Sequence, residues 1–440
     1  MVTGSNYLLE ESGEKILIDC GLHQGSRFCE AHNFEPFEYN PAEISAVFIT
    51  HAHIDHTGLL PKLVKEGFKG RVYSTSATRD FAELLLLDSE HILIEEAERL
   101  NKPVIYTVRE IEDLMANWQG VDYRETINLK NFKVKFYNAG HILGSSFIEV
   151  ESKGKKVIFS GDLGNSPAPI IGARENPPSD IDYCLIESTY GDRIHEDLPR
   201  RKEILRDIIK DTAKSGGVLM IPAFAMERTQ ELLFELNDLV ENGRVPRLPI
   251  FLDSPLAIKL TKVYDKHRNY WLDEKALELI KSGDAIFSFP GLKMTMTTEE
   301  SKAINEVPPP KVVIAGSGMS TAGRILHHEK RYLPDPKSVL LIVGYQSVGS
   351  LGRKIIDGAR SVKIFGEEIS VNCKIKAIGG YSAHADQPQL LEWLKPMKNS
   401  LRKIFAVQGE NESSSAFAQK IKDELAIPAE VPDLLTSIEL

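Results

Sequence analysis

The sequence predicts an α/β protein with one domain inserted into another, and three observations predict it. Residues 1–197 break into short apolar segments bounded by turn residues, the pattern of strands clustered in sheets. Over residues 198–365 helical patterns alternate with short, continuous apolar runs, which marks a parallel sheet covered on both faces. From residue 366 the strand-rich character returns, so 366–440 is expected to complete the domain that the first 197 residues begin. A chain of 440 residues has the length for two such cores.

The elements follow in order. NYLLE, EKILIDCG, ISAVFITH, GRVYST, FKVKFYNAGH, SFIEVES, KKVIFSGD and YCLIEST are β segments, rich in branched and aromatic residues and punctuated by Gly, Asn, Asp and Ser. Among them, residues 78–100 (TRDFAELLLLDSEHILIEEAERL) are too long and too charged for a strand and read as a helix. Strands so grouped, with helices between, suggest sheets packed face to face under helices. RRKEILRDIIKDTAKSG and RTQELLFELNDLVENG are the next helices, while GVLMIPAF, LPIFLDSP, PKVVIAGSG and KSVLLIVGYQ are the buried strands of the insertion. CKIKAIGGYSAH and RKIFAVQGE restore the first domain.

A formal net charge of -10 excludes a chain-wide basic coat for nucleic acid. The local clusters PRRKEILRD (199–207) and LGRKIIDGAR (351–360) are expected as solvated helix faces. No run of about 18 apolar residues and no basic-then-apolar leader occurs, so a soluble cytoplasmic protein without a membrane partner is the expectation. Cys20, Cys29, Cys184 and Cys373 are scattered, as reduced thiols are, and no C-x-x-C pair offers a thiolate metal site. Nitrogen and oxygen must hold any metal.

THAHIDHTG (50–58) concentrates His51, His53, Asp55 and His56 between the apolar AVFIT and the helix-like GLLPKLVKEG. In an extended loop residues two apart share a side, so His51, His53 and Asp55 are expected to converge while His56 starts the helix. Imidazole and carboxylate are ligands for zinc and its neighbours, and so much packed polarity calls for at least one ion. Asp19 in ILIDCG, His141 in NAGHILGSS and Asp162 in VIFSGDLG also end apolar strands. Each alone reads equally well as a cap or turn residue; together with HAHIDH they point to a metal centre.

In this order ILIDCG, THAHIDHTG, NAGHILGSS and FSGDLG resemble the successive motifs of the metallo-β-lactamase fold, an αββα sandwich. IESTYGDR, PAFAMERTQELL, GSGMSTAGR, GYQSVGSLGRK and GGYSAHADQ resemble its β-CASP branch, which carries an inserted α/β domain with a parallel sheet. That branch includes the cleavage subunit of pre-mRNA 3′-end processing, ribonuclease J, and stand-alone bacterial and archaeal ribonucleases. The resemblance spans nearly the whole chain. It implies a metal-dependent ribonuclease, endonucleolytic with a 5′-to-3′ exonuclease mode left open, that acts on single-stranded RNA at the seam of the two domains and leaves 5′-phosphate and 3′-hydroxyl ends.

The resemblance further implies two Zn2+ ions, with Mn2+ or Fe2+ as alternatives. His51, His53 and His141 would hold the first, Asp55 and His56 the second, with Asp162 between them and Asp19 behind, fixing a ligand imidazole. Asp55, Glu187 and His384 form the implied catalytic set, His384 as general acid and Glu187 keeping it protonated. Arg228, Ser317, Gly318, Met319, Arg324 and Arg353, on or beside glycine-rich loops, are the RNA-phosphate candidates. His327 and His328 are expected on a helix surface and not as ligands.

The chain departs from this family at two places. Where family ribonucleases usually carry a last metal histidine in a VHGE string, this chain reads FAVQGENES, with Gln408 at that place. A neutral amide oxygen is a weaker ligand than imidazole, so a weakly filled second site and reduced efficiency are expected. Completion of that site by water, Gln408 and substrate oxygen stays open, as do an RNA-binding member with impaired or no catalysis, a DNA-directed nuclease, and a single-metal hydrolase of thioesters or lactams. At the amino end, the first strand and glycine turn that family members carry before VTGSNYLL are missing, which would leave a sheet edge open. Without the long carboxyl-terminal extension of ribonuclease J or the amino-terminal RNA-binding domain of archaeal relatives, substrate selection is expected to rest on the cleft or on partners; a homodimer stays open.

Overall fold

The computed structural model describes residues 3–24, 30–195, 200–267, 273–344, 346, 347, 349–378 and 381–440, apart from the Lys275 side chain. Val2, Cys29, Pro199, Tyr345, Val348, Gly379 and Gly380, which belong to strings quoted above, lie outside the described residues. The chain forms two compact units, Met1–Ile194 with His384–Leu440, and His195–Ala383.

The first unit holds two sheets. One comprises β1 (Tyr7–Glu11), β2 (Glu14–Ile18), β3 (Ile44–Phe48), β4 (Arg71–Thr75) and β5 (Trp118–Val121), in that spatial order. Its β1–β2 hairpin is antiparallel and the other pairs are parallel. The second sheet starts with β6 (Thr126–Asn128), β7 (Lys133–Asn138), β8 (Ser146–Ser152), β9 (Lys155–Phe159) and β10 (Tyr183–Glu187). Ile16, Ile18 and Phe48 from one sheet meet Phe136, Ile148, Val150 and Phe159 from the other in a single buried cluster, as two sheets packed face to face require. The 25-residue helix Ser76–Leu100 lies against β4 and β5, while helices Gln387–Leu394 and Asn411–Leu425 bury Leu390, Trp393, Phe417 and Ile421 against the second sheet. This is the expected αββα sandwich.

The second unit is built on β11 (Val218–Pro222), β12 (Ile250–Asp253), β13 (Leu292–Met294), β14 (Lys311–Ala315), β15 (Val339–Ile342) and β18 (Lys374–Ala377), ordered β13-β12-β14-β11-β15-β18 and parallel throughout. Every residue of β11, β12, β14 and β15 is buried, which is why these strands read as unbroken apolar runs. A separate hairpin pairs β16 (Ser361–Ile364) with β17 (Glu367–Ser370). It turns through Phe365 and Gly366, both at positive φ, as a two-residue hairpin loop of the tightest kind demands. The strands β19 (Lys403–Val407) and β20 (Ala429–Glu430) then extend the second sheet of the first unit past β10.

The chain re-enters its first unit at His384, not at residue 366. Residue 366 is the tip of the β16–β17 hairpin, and the following strand-like text, KIKA, is β18, which joins β15 in the inserted sheet. The described cysteines Cys20, Cys184 and Cys373 are buried and not disulfide-bonded. Among the described residues no helix is long and apolar enough to cross a membrane.

Asp253, at the carboxyl end of β12, fastens the inserted unit. Its Oδ1 accepts hydrogen bonds from Thr295 Oγ1 (2.7 Å) and Arg324 Nη1 (2.8 Å), and its Oδ2 from Ser301 Oγ (2.7 Å) and His328 Nε2 (2.8 Å). Burial alone would raise its pKa, but hydrogen bonds from His328, Ser301, Thr295 and Arg324 hold it well below the usual carboxylate range. The stabilisation is therefore complete above the unfolded pKa of about 4 and is lost as pH falls toward the folded value. Asp253→Asn should cost about 2–4 kcal/mol at pH 7. The loss is read as a lower urea midpoint, and the gap between variant and parent should narrow below about pH 4.

Candidate metal centre

Strand ends deliver the ligands. β3 ends at Phe48, and three residues on, His51 is fully buried. His53 precedes a short helix, Ile54–Thr57, that carries Asp55 and His56. The helix starts before Asp55, so strand-like alternation stops at His53, and Asp55 goes with His56 and not with His51 and His53. His141 follows β7, and Asp162 follows β9.

His51, His53, His141 and Asp162 gather into one cluster. His51 Nε2 lies 3.0 Å from His53 Nδ1, which is 3.3 Å from His141 Nε2. Asp162 Oδ2 lies 3.3 Å from His51 Nε2 and 3.5 Å from His141 Nε2. Four ligands at about 2.0–2.1 Å from a tetrahedral ion stand about 3.3–3.4 Å apart, so this donor set fits a divalent ion. Burial pushes the pKa values of His53 and His141 well below the usual range, leaving them as the neutral imidazoles that ligate. Asp162 is drawn well below the carboxylate range despite its burial, chiefly by His56, His51 and His384.

A second donor group is looser. His56 Nε2 lies 3.5 Å from Asp162 Oδ1 and 3.9 Å from Asp55 Oδ2, and among the described residues this buried nitrogen has no hydrogen-bond partner. Its other nitrogen, Nδ1, lies 2.7 Å from Asp19 Oδ2. Asp19 also accepts from the Thr50 amide and hydroxyl, both at 2.8 Å, and adopts φ 58° to do so. With Nδ1–H committed to Asp19, Nε2 faces the site; burial would lower the His56 pKa, but Asp162, Asp19 and Asp55 hold it well above the usual range, so an ion would have to displace the Nε2 proton. Burial raises the Asp55 pKa, with His56 opposing. Gln408, also at positive φ (55°), is buried, and its Oε1 has no partner among the described residues. Gln408 and His56 line one small cavity with Ser5, Tyr7, Asp19, Thr50 and Ser160.

Glu187 and His384 stand beside these groups. β10 ends on Glu187, whose Oε1 accepts from the Leu163 amide at 2.6 Å. His384 is bridged to Gly164, and the Ala385 amide donates to Leu163 O, so His384 is hung on the segment that follows Asp162. His384 Nδ1 lies 3.1 Å from Glu187 Oε2 and 3.9 Å from Asp162 Oδ2. Burial would lower its pKa, but Glu187 first and Asp162 next push it up to about 9. Held in this way the imidazolium can donate a proton, and Asp162, Glu187 and His384 also form a second group whose ligand atoms lie close enough to hold an ion.

The RNA-phosphate candidates all lie in the inserted unit, on and after the loops at the carboxyl ends of β11, β14 and β15. Two of them do not offer the guanidinium expected for phosphate. Arg324 is committed to Asp253, Thr295 O and Met296 O, and Arg228 is buried against Glu231. Arg353 is paired with Asp357 at 2.8 Å. The Ser317 hydroxyl accepts from the Thr321 and Ala322 amides and so shapes its own loop. His327 is exposed as expected, whereas His328 is buried on Asp253.

Sequence reasoning missed Thr50, which joins Asp19 to two ligand histidines, and Arg174, which ties Gly164 O to Gln389. Both are ordinary residues in ordinary text, and only the fold gives them partners.

Comparison with known proteins places these geometries in a lineage. The Metallo-beta-lactamase superfamily model matches residues 2–189, the Beta-Casp domain 229–355, and the Zn-dependent metallo-hydrolase RNA specificity domain 368–432. Ribonuclease TTHA0252 of Thermus thermophilus is 38% identical over 432 residues, covering 96% of this chain and 97% of its own. The RNase J-like protein of Methanocaldococcus jannaschii is 32% identical, covering 96% and 94%. Transcription termination factor FttA of Methanosarcina mazei is 30% identical over 99% of this chain and 69% of its own. A crystal structure of a protein of unknown function from Enterococcus faecalis shares the fold, with a TM-score of 0.55 at 11% identity over 98% and 96% of the two chains.

Adding Zn2+ to metal-free protein should raise its thermal midpoint, by the equivalent of about 2.7 kcal/mol at 100 times the dissociation constant. His141→Ala should abolish most of that rise in differential scanning calorimetry, because it removes one of the four clustered donors.

Proposed function

The chain belongs to the metallo-β-lactamase superfamily and its β-CASP branch, and from that premise we propose that it is a metal-dependent ribonuclease. It hydrolyses single-stranded RNA to 5′-phosphate and 3′-hydroxyl ends. The observation that carries this reading is the His384–Glu187 pair beside Asp162, since expulsion of an alkoxide from a phosphodiester needs a proton donor.

His51, His53, His141 and Asp162 would hold one ion, and Asp55 and His56, together with Asp162, would contribute to a second site. Bound there, divalent ions supply charge neutralisation and a water acidified enough to attack phosphorus. Glu187 orients His384 and keeps its proton in place until the P–O3′ bond breaks and the departing O3′ takes it. Asp19 and Thr50 hold the ligand imidazoles in the required tautomer. A thioester hydrolase, whose thiolate can leave without a proton, has no use for this donor.

The second site is the weaker one. Its donors are farther apart, and Gln408 offers a neutral carbonyl oxygen to the small cavity that His56 also lines. One tightly bound ion per chain and a second bound weakly are the expected content. Elemental analysis after gel filtration should find about one ion in the parent and approach two in Gln408→His. An unchanged count in that variant would remove Gln408 from the account.

On 5′-labelled single-stranded RNA, His384→Ala should lower kcat by about 100-fold or more while leaving bound metal unchanged. Undiminished cutting by the variant would sink the assignment of the acid. Cutting of single-stranded DNA in preference to RNA would move the substrate class, and chelator-indifferent RNA affinity with no cutting would leave a binding protein.

A further inference from the structure

Phe224 lies two residues beyond the end of β11, the strand flanked by β14 on one side and β15 on the other. In open parallel sheets the carboxyl ends of adjacent strands whose connections diverge are where ligands are taken. The residue is 41% exposed, an unusual position for a phenylalanine in a loop between buried strands. Its ring rests on two glycine loops. A side chain at Gly318 would overlap Phe224 Cδ2 and Cε2, and one at Gly344 would touch the same edge. The sequence leaves these neighbours bare, and the ring stays where it is.

The platform is held from below. Buried Gln346 donates through Nε2 to Gly318 O (2.9 Å) and Gly344 O (3.2 Å), stitching the two glycine loops together. Thr229 Oγ1 donates to Phe224 O at 2.7 Å, and Gln230 Nε2 to Ala225 O at 3.1 Å. The chain then reverses through Glu227, at φ 62° and ψ −58°, with the Arg228 amide donating to Met226 O at 2.8 Å. This is a γ-turn in the strained positive-φ form, and buried Tyr264 holds the Glu227 carboxylate. Strain of this kind persists where the surroundings over-determine it and gathers at binding sites. Among the described residues neither the Gly318 nor the Met319 amide donates to a protein acceptor, so two backbone donors remain beside the ring.

We propose that Phe224 is a stacking platform for an unpaired nucleobase of single-stranded RNA, with the adjoining phosphate received by the Gly318 and Met319 amides. The proposal rests on the ribonuclease reading above and adds to it a base-binding position within the inserted unit. A flat aromatic face accepts any base, and a base held in a duplex is not available to it. The site therefore selects for unpaired RNA without selecting for sequence.

The test uses metal-loaded full-length protein and fluorescence anisotropy on a phosphorothioate-linked single-stranded RNA, an abasic oligonucleotide of equal length and linkage, and an RNA duplex. Phe224→Ala and Phe224→Leu should bind the single strand roughly 5- to 150-fold more weakly, since one stacked base contributes about 1–3 kcal/mol. Phe224→Tyr and Phe224→Trp should stay close to the parent. The abasic oligonucleotide and the duplex should bind parent and variants alike. Phe224→Leu keeps an apolar contact with the glycine loops and separates loss of stacking from loss of fold. The inference is overturned if Phe224→Leu binds the single strand as tightly as the parent. It is equally overturned if the abasic oligonucleotide loses as much, which would make the ring a prop for the loops, or a platform for a protein partner. In those cases cutting of RNA by the parent leaves the ribonuclease reading intact. A parent that neither binds nor cuts RNA removes both.

Discussion

The Asp162 carboxylate lies within 4 Å of His51, His56, His141 and His384. A carboxylate this deeply buried is tolerated only when positive charge or firm hydrogen bonds compensate it, and here the compensation is shared among four imidazoles. The rest of the first unit answers this constraint. The strands bring Asp162, His141 and Glu187 in at their ends, the face-to-face core fixes those ends, and Asp19 and Thr50 settle which nitrogen of a histidine points inward. The Nε2 of His56 is left without a partner among the described residues.

Asp253 in the inserted unit makes an instructive contrast. It too is buried at a strand end among basic groups, yet both its oxygens are saturated by protein donors. No lone pair is left to face an outside cation, so its role is structural. Two aspartates in similar text therefore differ by the satisfaction of their neighbours, a property that belongs to the fold.

The same distinction explains what was legible in the sequence. Polar residues that terminate apolar strands were readable because strand periodicity and its interruption are local. This gave Asp19, His141 and Asp162 their places, whereas Glu187 and His384 were named only by the family resemblance. The grouping of Asp55 with His51 and His53 failed because a helix of one turn begins at Ile54, and a four-residue helix leaves no periodic trace. The re-entry point failed because a hairpin turning at Phe365–Gly366 lacks the Asn-Gly signature that announces such turns. Arg324 looked available because its carboxylate partner, Asp253, comes from tertiary packing, whereas the partner of Arg228, Glu231, stands three residues on along the same helix and was legible there.

The return of the chain to its first unit sets an order of assembly. Every donor of the tighter metal cluster lies at or before residue 162, whereas His384 and the strand β19 beside Glu187 arrive only after the whole inserted unit has been made. A nascent chain can thus acquire its metal ligands early while still lacking the group proposed to protonate the leaving oxygen. On that chemistry the site stays one proton donor short until His384 has been made, long after Asp162, the last donor of the tighter cluster.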